Sequence, residues 1–351
     1  MANFGPKDIK KLRDMTDAGM MDCKKALAAS DGDMDKAVEW LRDQGIGAAA
    51  KKAGKTAAEG AIGVRVEGHK AVVIEINSQT DFVAQNDKFK ELMSTVVNHA
   101  FDNSLADAEA INASQIAGQP FSEFLSLQVA TIGEKLVVRR AALIDGDDTT
   151  AVSGYVHSNA QNGVIIAAQC DDAATAEAMT PILREIAMHA AAMAPKSLTY
   201  QDLDAEYVAS ETHGRIEAIK KENEELERLG KPLKNVPQYV SHAQLTDEVI
   251  AAARAEIEAE LKAEGKPEKI WDRIVPGKLD RFISDNSTLD QEQCLLDQKF
   301  VMDDSKTVGE YFAEKAAGKA KITTFTRLEV GEGIEVEEED FAAEVAKQMG
   351  Q

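Results

Sequence analysis

The sequence is poor in cysteine and has no long apolar run, and each shortage argues against a class of protein. Its three cysteines, Cys23, Cys170 and Cys294, lie far apart and are odd in number. They indicate free thiols in a reducing environment rather than a disulfide framework, so we expect a cytoplasmic protein. No apolar run reaches the length of a membrane span, and the stretch MANFGPKDIKKLRD lacks the apolar segment of a secretory signal. We therefore expect no membrane partner and no export.

Basic residues are outnumbered. The chain carries 61 acidic and 40 basic residues, which gives a formal net charge of −21. A strongly anionic chain is a poor candidate for non-specific binding to phosphate backbones, and no long basic patch offsets the acidic excess. We therefore expect no direct contact with nucleic acid, and a folded protein as the partner.

Recognised motifs of catalysis and metal binding are missing. The six histidines include no His-x-x-x-His pair, the cysteine spacing fits no zinc site, and no Gly-x-Ser-x-Gly occurs. The stretch GAAAKKAGKT resembles a phosphate-binding loop, but that motif needs a glycine where Ala49 stands and an apolar strand before it. We expect His157 and His189 to be packed, hydrogen-bonded residues. The chain offers no assembled catalytic site, so we expect a protein that is not an enzyme.

The N-terminal segment has the apolar spacing of short helices. Residues 7–45 predict three of them, and the third is the clearest. Four apolar residues from Met34 to Leu41 fall at positions i, i+3, i+4 and i+7, and Asp33 is placed to cap them. The basic, small-residue stretch AAAKKAGKTAAEG then predicts a linker that is partly helical.

The middle of the chain alternates strands with helices. The alternation from Ile62 to Val66 and the nearly continuous apolar run AVVIEI predict a hairpin with one well-buried strand. Amphipathic helices are predicted at 87–100 and around 121–129, and KLVVRRAALI predicts another strand. The stretches SGYVHS and VIIAAQC repeat the hairpin, and we expect Pro181 in the first turn of the next helix. Hairpin then helix occurs twice, which predicts an α+β fold with an internal duplication.

Charged residues dominate 205–275, where two narrow apolar seams predict two helices paired as an antiparallel arm. Asn223 lies on the first seam and would set the register of the pair. QKFVMD and ITTFTRLEVG predict strands that return to the sheet, and a last helix is predicted from Glu338 to Met349. The seam residues are Ile216, Ile219 and Leu226 on one helix, and Val249, Ala253 and Ile257 on the other.

Two segments hold candidate binding residues. Met20 and Met21 occupy a predicted loop between two helices, where methionine serves a core and an interface equally well. In EINSQTDFVAQND, a turn after a buried strand carries four candidates: Thr80, Asp81, Phe82 and Val83. Phe82 is either a core residue or a protruding contact, and the spacing alone leaves both open.

Both segments belong to a pattern that resembles the elongation factor Ts family in its long-arm bacterial form. LRDMTDAGMMDCKKAL, EINSQTDFVAQN, IAMHAAAMAP, FVMDDSKTVGEYF and RLEVGEGIE occur in the family's order over essentially the whole chain. The resemblance implies an α+β protein with five parts. These are a UBA-like three-helix module at 1–54, core subdomain N at 55–144, core subdomain C at 145–204 and 285–336, a helical hairpin arm at 205–284, and a C-terminal helix at 337–351.

The resemblance also implies a guanine-nucleotide exchange factor for elongation factor Tu in its GDP-bound form. In family terms, residues 80–83 enter the partner and dislodge its Mg²⁺, which promotes GDP release and GTP loading. Met20 and Met21 would help to dock the partner. The factor itself would bind no metal or cofactor and perform no covalent chemistry. Gln85 departs from the family pattern, which usually has a basic residue or asparagine there.

Two other functions stay open on the residues alone. One is an adaptor that binds another helix through the UBA-like module, with the remainder structural. The other is an enzyme whose site has no recognisable motif. Nucleotide release from a purified partner GTPase would separate both from exchange.

Overall fold

The computed structural model describes residues 4–16 and 18–335 of the chain. The chain divides into two compact units: unit 1 comprises Met1–Ala191 with Ile322–Gln351, and unit 2 comprises Ala192–Lys321. Helices and strands are mixed, which agrees with the predicted α+β class. Among the described residues, no helix combines the length and the apolar character that crossing a bilayer requires. The predicted C-terminal helix at 337–351 lies outside the described residues.

The regular elements follow one another in chain order. Up to the end of α8 they are α1 (Pro6–Thr16), α2 (Met20–Ala29), α3 (Met34–Lys52), β1 (Glu59–Glu67), β2 (Lys70–Ser78), α4 (Asp81–Gln85), α5 (Asp87–Asp102), α6 (Ala108–Ala113), β3 (Gln115–Ile116), β4 (Gln119–Pro120), α7 (Phe121–Ile132), β5 (Val137–Asp145), β6 (Thr150–Val156), β7 (Asn162–Cys170) and α8 (Ala173–Met193). The remainder are α9 (Ala205–Arg228), α10 (Asp247–Ala263), α11 (Trp271–Asp285), α12 (Thr288–Gln293), β8 (Lys299–Phe300), β9 (Asp303–Thr307), α13 (Val308–Ala316) and β10 (Ala320–Glu329).

The first three helices bury a small core of their own. The side chain of Asp33 accepts hydrogen bonds from the backbone N–H groups of Asp35 and Lys36, which starts α3 where the sequence predicts it. α3 ends at Lys52 and so takes in the first five residues of the stretch AAAKKAGKTAAEG, which agrees with the prediction of a partly helical linker. A helix, rather than the strand of a phosphate-binding loop, therefore leads up to Gly54. The buried apolar residues of this core are Leu12, Ala18, Cys23, Ala26, Leu27, Ala37 and Leu41.

Two three-stranded sheets form the centre of unit 1, with strand orders β1-β2-β5 and β10-β7-β6. β2 is the middle strand of the first sheet and is antiparallel to both neighbours. Val72, Ile74 and Ile76 point into a core with α5, α6 and α7, whereas Ala71 and Val73 point into a core shared with β6 and β7. Both faces of β2 are therefore buried, which explains why its sequence is apolar almost without interruption.

The two sheets pack closely because small residues lie where they meet. A Cβ atom at Gly163 of β7 would lie 2.4 Å from Cγ2 of Ile62 on β1, so a side chain there would push the sheets apart. In each sheet the second strand of a hairpin is central, and a helix follows that hairpin in the chain. This shared order is the pattern from which an internal duplication is predicted.

Unit 2 is predominantly helical and differs from the predicted two-helix arm. Three long helices, α9, α10 and α11, lie in the range 205–285. The apolar face of α10 does not pair with α9 as predicted, because α11 covers it. The buried residues of this α10–α11 core are Ala253, Ile257, Leu261, Val275 and Leu279.

The predicted role of Asn223 in the register of two helices is also wrong. Its side-chain amide donates to the carbonyl oxygen of Lys234 and accepts from the N–H of Lys234, both at 2.8 Å. Asn223 therefore holds the extended segment that follows α9. At the base of α9, Val208 packs against Val240 and Leu289, which anchors the helix in unit 2.

Two further expectations are corrected. Pro181 lies inside α8 rather than in its first turn, because α8 begins at Ala173, where Asp172 accepts a hydrogen bond from the N–H of Thr175. The strands β8 and β9 pair with each other as a separate two-stranded sheet, and only β10 joins a three-stranded sheet.

Candidate partner-binding site

The four candidate residues after β2 form the start of a short helix rather than an open turn. β2 ends at Ser78 and α4 covers Asp81–Gln85. Thr80 is the N-cap of α4, and its hydroxyl accepts a hydrogen bond from the N–H of Val83 at 3.4 Å. A threonine in this position satisfies a backbone donor that the first turn of a helix leaves free.

The helical turn divides these residues between core and solvent. Ala84 is buried and Val83 is partly buried against the core of α5 and β2. Asp81 is exposed, and Phe82 has 81% of its surface exposed. Phe82 is therefore not a core residue, which leaves the protruding contact of the two options. An isolated five-residue helix is unstable in water, so the packed pair of Val83 and Ala84 fixes where Phe82 stands.

A carboxyl group remote in sequence holds the entry to α4. Oε2 of Glu134 accepts hydrogen bonds from the N–H groups of Gln79 and Thr80, each at 3.0 Å, and Oε1 accepts from the hydroxyl of Thr80 at 2.7 Å. Sequence reasoning missed Glu134. The available signal was that β5 pairs antiparallel with β2, which puts the start of β5 beside the end of β2, as at Val137 and Asn77.

Sequence reasoning also missed a fully buried carboxyl group. Glu75 lies on β2 with no exposed surface, and it accepts hydrogen bonds from Nη1 of Arg139 at 3.1 Å and Nε of Arg140 at 2.6 Å. It also accepts from the N–H of Gly331 at 2.9 Å. Burial lowers the pKa of the Arg140 guanidinium, but its hydrogen bonds to Glu332 and Glu75 raise that pKa further, so the net direction is upward. This cluster ties the segment after β10 to the first sheet, and the charges it buries are paired.

Met20 and Met21 lie in the first turn of α2 rather than in the predicted loop. They are 56% and 62% exposed, so neither fills the core of the three helices. The buried face of α2 is formed by Cys23, Ala26 and Leu27. The methionines and residues 80–83 lie on different elements of unit 1, α2 and α4.

The two histidines singled out in the sequence differ in burial, and the three cysteines are alike. His189 is fully buried, as expected, whereas His157 is exposed and bonds the hydroxyl of Tyr155 at 3.1 Å. All three cysteines are free and buried, and burial raises the pKa of the Cys294 thiol to about 12. Within residues 4–16 and 18–335, no group of three or more His, Cys, Asp or Glu side chains is placed to hold a metal ion.

Comparison with known proteins identifies the family. The family model described as "Elongation factor TS" matches residues 79–236 and 233–332. Elongation factor Ts of Sulfurovum sp. (strain NBC37-1) is 78% identical over 352 residues, covering 99% of this chain and all of the relative. Elongation factor Ts of Aliarcobacter butzleri is 53% identical over 352 residues and covers both chains fully, and that of Helicobacter hepaticus is 47% identical over 354 residues, covering 99% of this chain and all of the relative. The chain therefore belongs to the elongation factor Ts family, the nucleotide-exchange factors of translation elongation.

Proposed function

We propose that this chain binds elongation factor Tu in its GDP-bound form and promotes GDP release through residues 80–83. The observation that carries the proposal is Phe82, a large apolar side chain that is 81% exposed beside a well-packed strand end. Exposing such a side chain on a rigid element is unfavourable in the free protein and favourable in a complex that buries it.

Exchange in this proposal is a coupling between two binding events. The factor binds the nucleotide-free partner more tightly than the GDP-bound partner. GDP therefore lowers the affinity of the partner for the factor by the same ratio as the factor lowers its affinity for GDP. Burial of one phenylalanine side chain contributes about 1.5 to 3 kcal/mol, and each tenfold of nucleotide loosening requires about 1.4 kcal/mol of difference between the two states. Insertion of Phe82 therefore supplies roughly tenfold to a hundredfold of the effect.

The neighbouring residues have complementary roles. The exposed carboxyl of Asp81 brings negative charge to the region of the partner that orders its Mg²⁺ and the bound waters. Thr80 caps the helix and Val83 anchors it, so both hold Phe82 in place. Displacement of Mg²⁺ weakens the hold on GDP, and GTP then loads. The chain performs no covalent step in this scheme.

The finer division of the chain is also proposed. The exposed Met20 and Met21 on a compact three-helix core suit a UBA-like docking module at 1–54 that adds affinity. Core subdomain N at 55–144 presents residues 80–83, and core subdomain C spans 145–204 and 285–336. The helices within 205–284 project as the arm, and a helix at 337–351 ends the chain. The site of action is the cytoplasm, where translation takes place.

The test is Phe82→Ala in an assay of labelled-GDP release from elongation factor Tu. We expect release at saturating factor to slow by at least about tenfold, the equivalent of 1.4 kcal/mol, with an unchanged melting temperature because Phe82 is exposed. Leu233→Ala is the matched control, since Leu233 is 57% exposed and lies in unit 2. Full activity of Phe82→Ala, or a melting temperature typical of a lost core residue, would refute the proposal. If the chain were instead an adaptor or an enzyme, neither the wild type nor Phe82→Ala would accelerate GDP release from elongation factor Tu.

A further inference from the structure

Glu134 directs all its observed hydrogen bonds at the two residues that lead into α4. Its carboxylate accepts from two backbone N–H groups and one hydroxyl, all belonging to Gln79 and Thr80, at 2.7 to 3.0 Å. Hydrogen bonds to an ionised acceptor are about twice as strong as neutral ones. All three donors belong to this chain, so the hydrogen bonds of Glu134 hold the segment that leads into α4.

The residues beside Glu134 are held as well. Gly133 ends α7 with a φ of +90°, a left-handed conformation that favours glycine and turns the chain towards β5. The N–H of Lys135 donates to the side-chain oxygen of Gln79 at 3.0 Å. The Nζ atom of Lys135 donates to the carbonyl oxygens of Ala53 and Lys55 at 2.7 and 2.8 Å. The segment 133–135 is therefore hydrogen-bonded to the residues at the end of α3 on one side and to residues 79–80 on the other.

We infer that Glu134 is a positioning residue for exchange: it fixes Thr80, and through the N-cap of α4 it sets the direction in which Phe82 protrudes. The inference rests on the proposed role of Phe82. α4 has five residues, too few for a helix to be stable by itself, so its orientation depends on bonds and contacts made outside it. Without Glu134, the N–H groups of Gln79 and Thr80 lose their common acceptor and the segment gains conformations. Part of the binding free energy would then be used to order this segment again, and less would remain to weaken the binding of GDP to the partner.

The test compares Glu134→Ala and Glu134→Gln in the GDP-release assay, with the factor concentration varied. Alanine removes every acceptor. We expect GDP release at saturating factor to slow by about fivefold to twentyfold, the size of effect that loss of hydrogen bonds to a charged group produces. Glutamine keeps one carbonyl oxygen for the two N–H groups and an amide that donates to Thr80, so we expect release within about threefold of wild type. Hydrogen exchange at the amides of Gln79 and Thr80 should be faster in Glu134→Ala and close to wild type in Glu134→Gln.

Asp147→Ala is the matched control. Asp147 also holds a loop by accepting hydrogen bonds from the N–H and hydroxyl of Thr149 and the hydroxyl of Thr150, but it does so between β5 and β6. We expect normal GDP release from this variant. Equal losses from Asp147→Ala and Glu134→Ala would show a general effect of loop stability and would overturn the inference.

A double variant separates the inference from the function on which it rests. If Glu134 acts through Phe82, then adding Glu134→Ala to Phe82→Ala should slow release by less than about twofold more, because coupled residues are not additive. Normal release from Phe82→Ala would refute the proposed function. Slow release from Phe82→Ala together with normal release from Glu134→Ala, or full additivity in the double variant, would refute only the positioning role. Should Glu134→Ala melt below the assay temperature, Glu134→Leu keeps the side-chain volume without an acceptor and carries the same expectations.

Discussion

Some side chains of this protein have a burial opposite to that expected from their polarity. Phe82 is a large apolar residue left in solvent, whereas Glu75 and Asp290 are carboxyl groups with no exposed surface. An exposed apolar side chain on a firm support suits partner binding. A buried carboxyl group needs donors around it. Glu75 accepts from Arg139 and Arg140, and Oδ2 of Asp290 accepts from the N–H of His242, whereas Oδ1 of Asp290 has no hydrogen-bond partner among the described residues. We assign both carboxyl groups to structure.

His242 and Asp290 form a hydrogen-bonded pair in unit 2. Nδ1 of His242 lies 2.9 Å from Oδ2 of Asp290, which also accepts from the N–H of His242, and the imidazole stacks on Tyr200. The hydrogen bond to Asp290 raises the pKa of His242 above 6.5, although burial opposes it. Burial raises the pKa of the nearby Asp297 carboxyl, and His242 partly offsets that rise.

The direction of the pH effect follows from the raised pKa of His242. The folded state favours the imidazolium, so its contribution to the free energy of unfolding is complete below pH 6.5, the ordinary value, and is lost as pH rises through the folded-state pKa. We expect the difference in unfolding free energy between wild type and His242→Gln to decrease by on the order of 1 kcal/mol above pH 6.5 and then to level off.

Urea unfolding at a series of pH values measures this difference. The chain has two tryptophans, and Trp271 lies in unit 2, so a Trp40→Phe background lets fluorescence report on that unit. Asp297→Asn removes the second group with a raised pKa. Since Asp297 also helps to raise the pKa of His242, we expect the decrease above pH 6.5 to persist in this variant but to begin at a lower pH. A difference that stays constant from pH 5.5 to 8.5 would show that folding does not change the protonation of His242.

At the scale of elements, the helices of unit 2 show how a correct periodicity can lead to a wrong partner. The spacing of Ala253, Ile257 and Leu261 marks the buried face of α10 correctly. The structure covers that face with α11, which follows after a short connection, and not with α9. A short connection favours the pairing of helices that are neighbours in sequence, because closing a short loop costs less conformational entropy than closing a long one.

The pairing of α10 with α11 predicts unequal costs for two leucine truncations. Leu279 on α11 is 7% exposed within the α10–α11 core, whereas Leu226 on α9 is only partly buried. We expect Leu279→Ala to reduce the free energy of unfolding by about 2 to 4 kcal/mol and Leu226→Ala by about 1 kcal/mol or less. Urea unfolding followed by Trp271 fluorescence compares the two variants. The originally predicted α9–α10 pairing would give the reverse order, and that result would contradict the structure.

For the whole molecule, the two compact units separate the proposed exchange residues from the long helices. Residues 80–83, Met20 and Met21 lie in unit 1, and α9 to α11 lie in unit 2. Two exposed leucines, Leu229 and Leu233, follow the C-terminal end of α9 at Arg228. Because the coupling to GDP is proposed to arise at residues 80–83, we expect the tip of α9 to be dispensable for the exchange step.

Replacement of residues 220–234 by a short Gly-Ser turn tests this separation. Ile219 and Asn235 line the same groove, so a short turn can join them, and the replacement removes Asn223 together with its bonding partner Lys234. We expect GDP release at saturating factor to stay within about threefold of wild type, a change worth under 1 kcal/mol. A loss of tenfold or more in a variant with a wild-type melting profile would mean that unit 2 helps to open the partner.

Most elements of the fold, and the segment that carries the candidate site, could be predicted from the sequence. The apolar spacing and cap of α3, the doubly buried run of β2 and the apolar face of α5 are local patterns, and the structure contains each of them. The family motifs point to Thr80, Asp81, Phe82 and Val83 without any knowledge of the geometry. Local periodicity is informative because it reflects which side of an element faces the core.

Only the tertiary structure decided which elements meet. It buries Glu75 between Arg139 and Arg140, brings Glu134 to residues 79–80 across 54 and 55 positions of sequence, and sets α11 rather than α9 against α10. It also leaves Phe82 exposed to solvent, which the pattern of apolar and polar residues could not determine. The physical reason is that a residue's own sequence neighbourhood sets its backbone conformation and its face. Its burial and its hydrogen-bond partners depend on which distant segment packs there, and that is settled by the free energy of the whole fold.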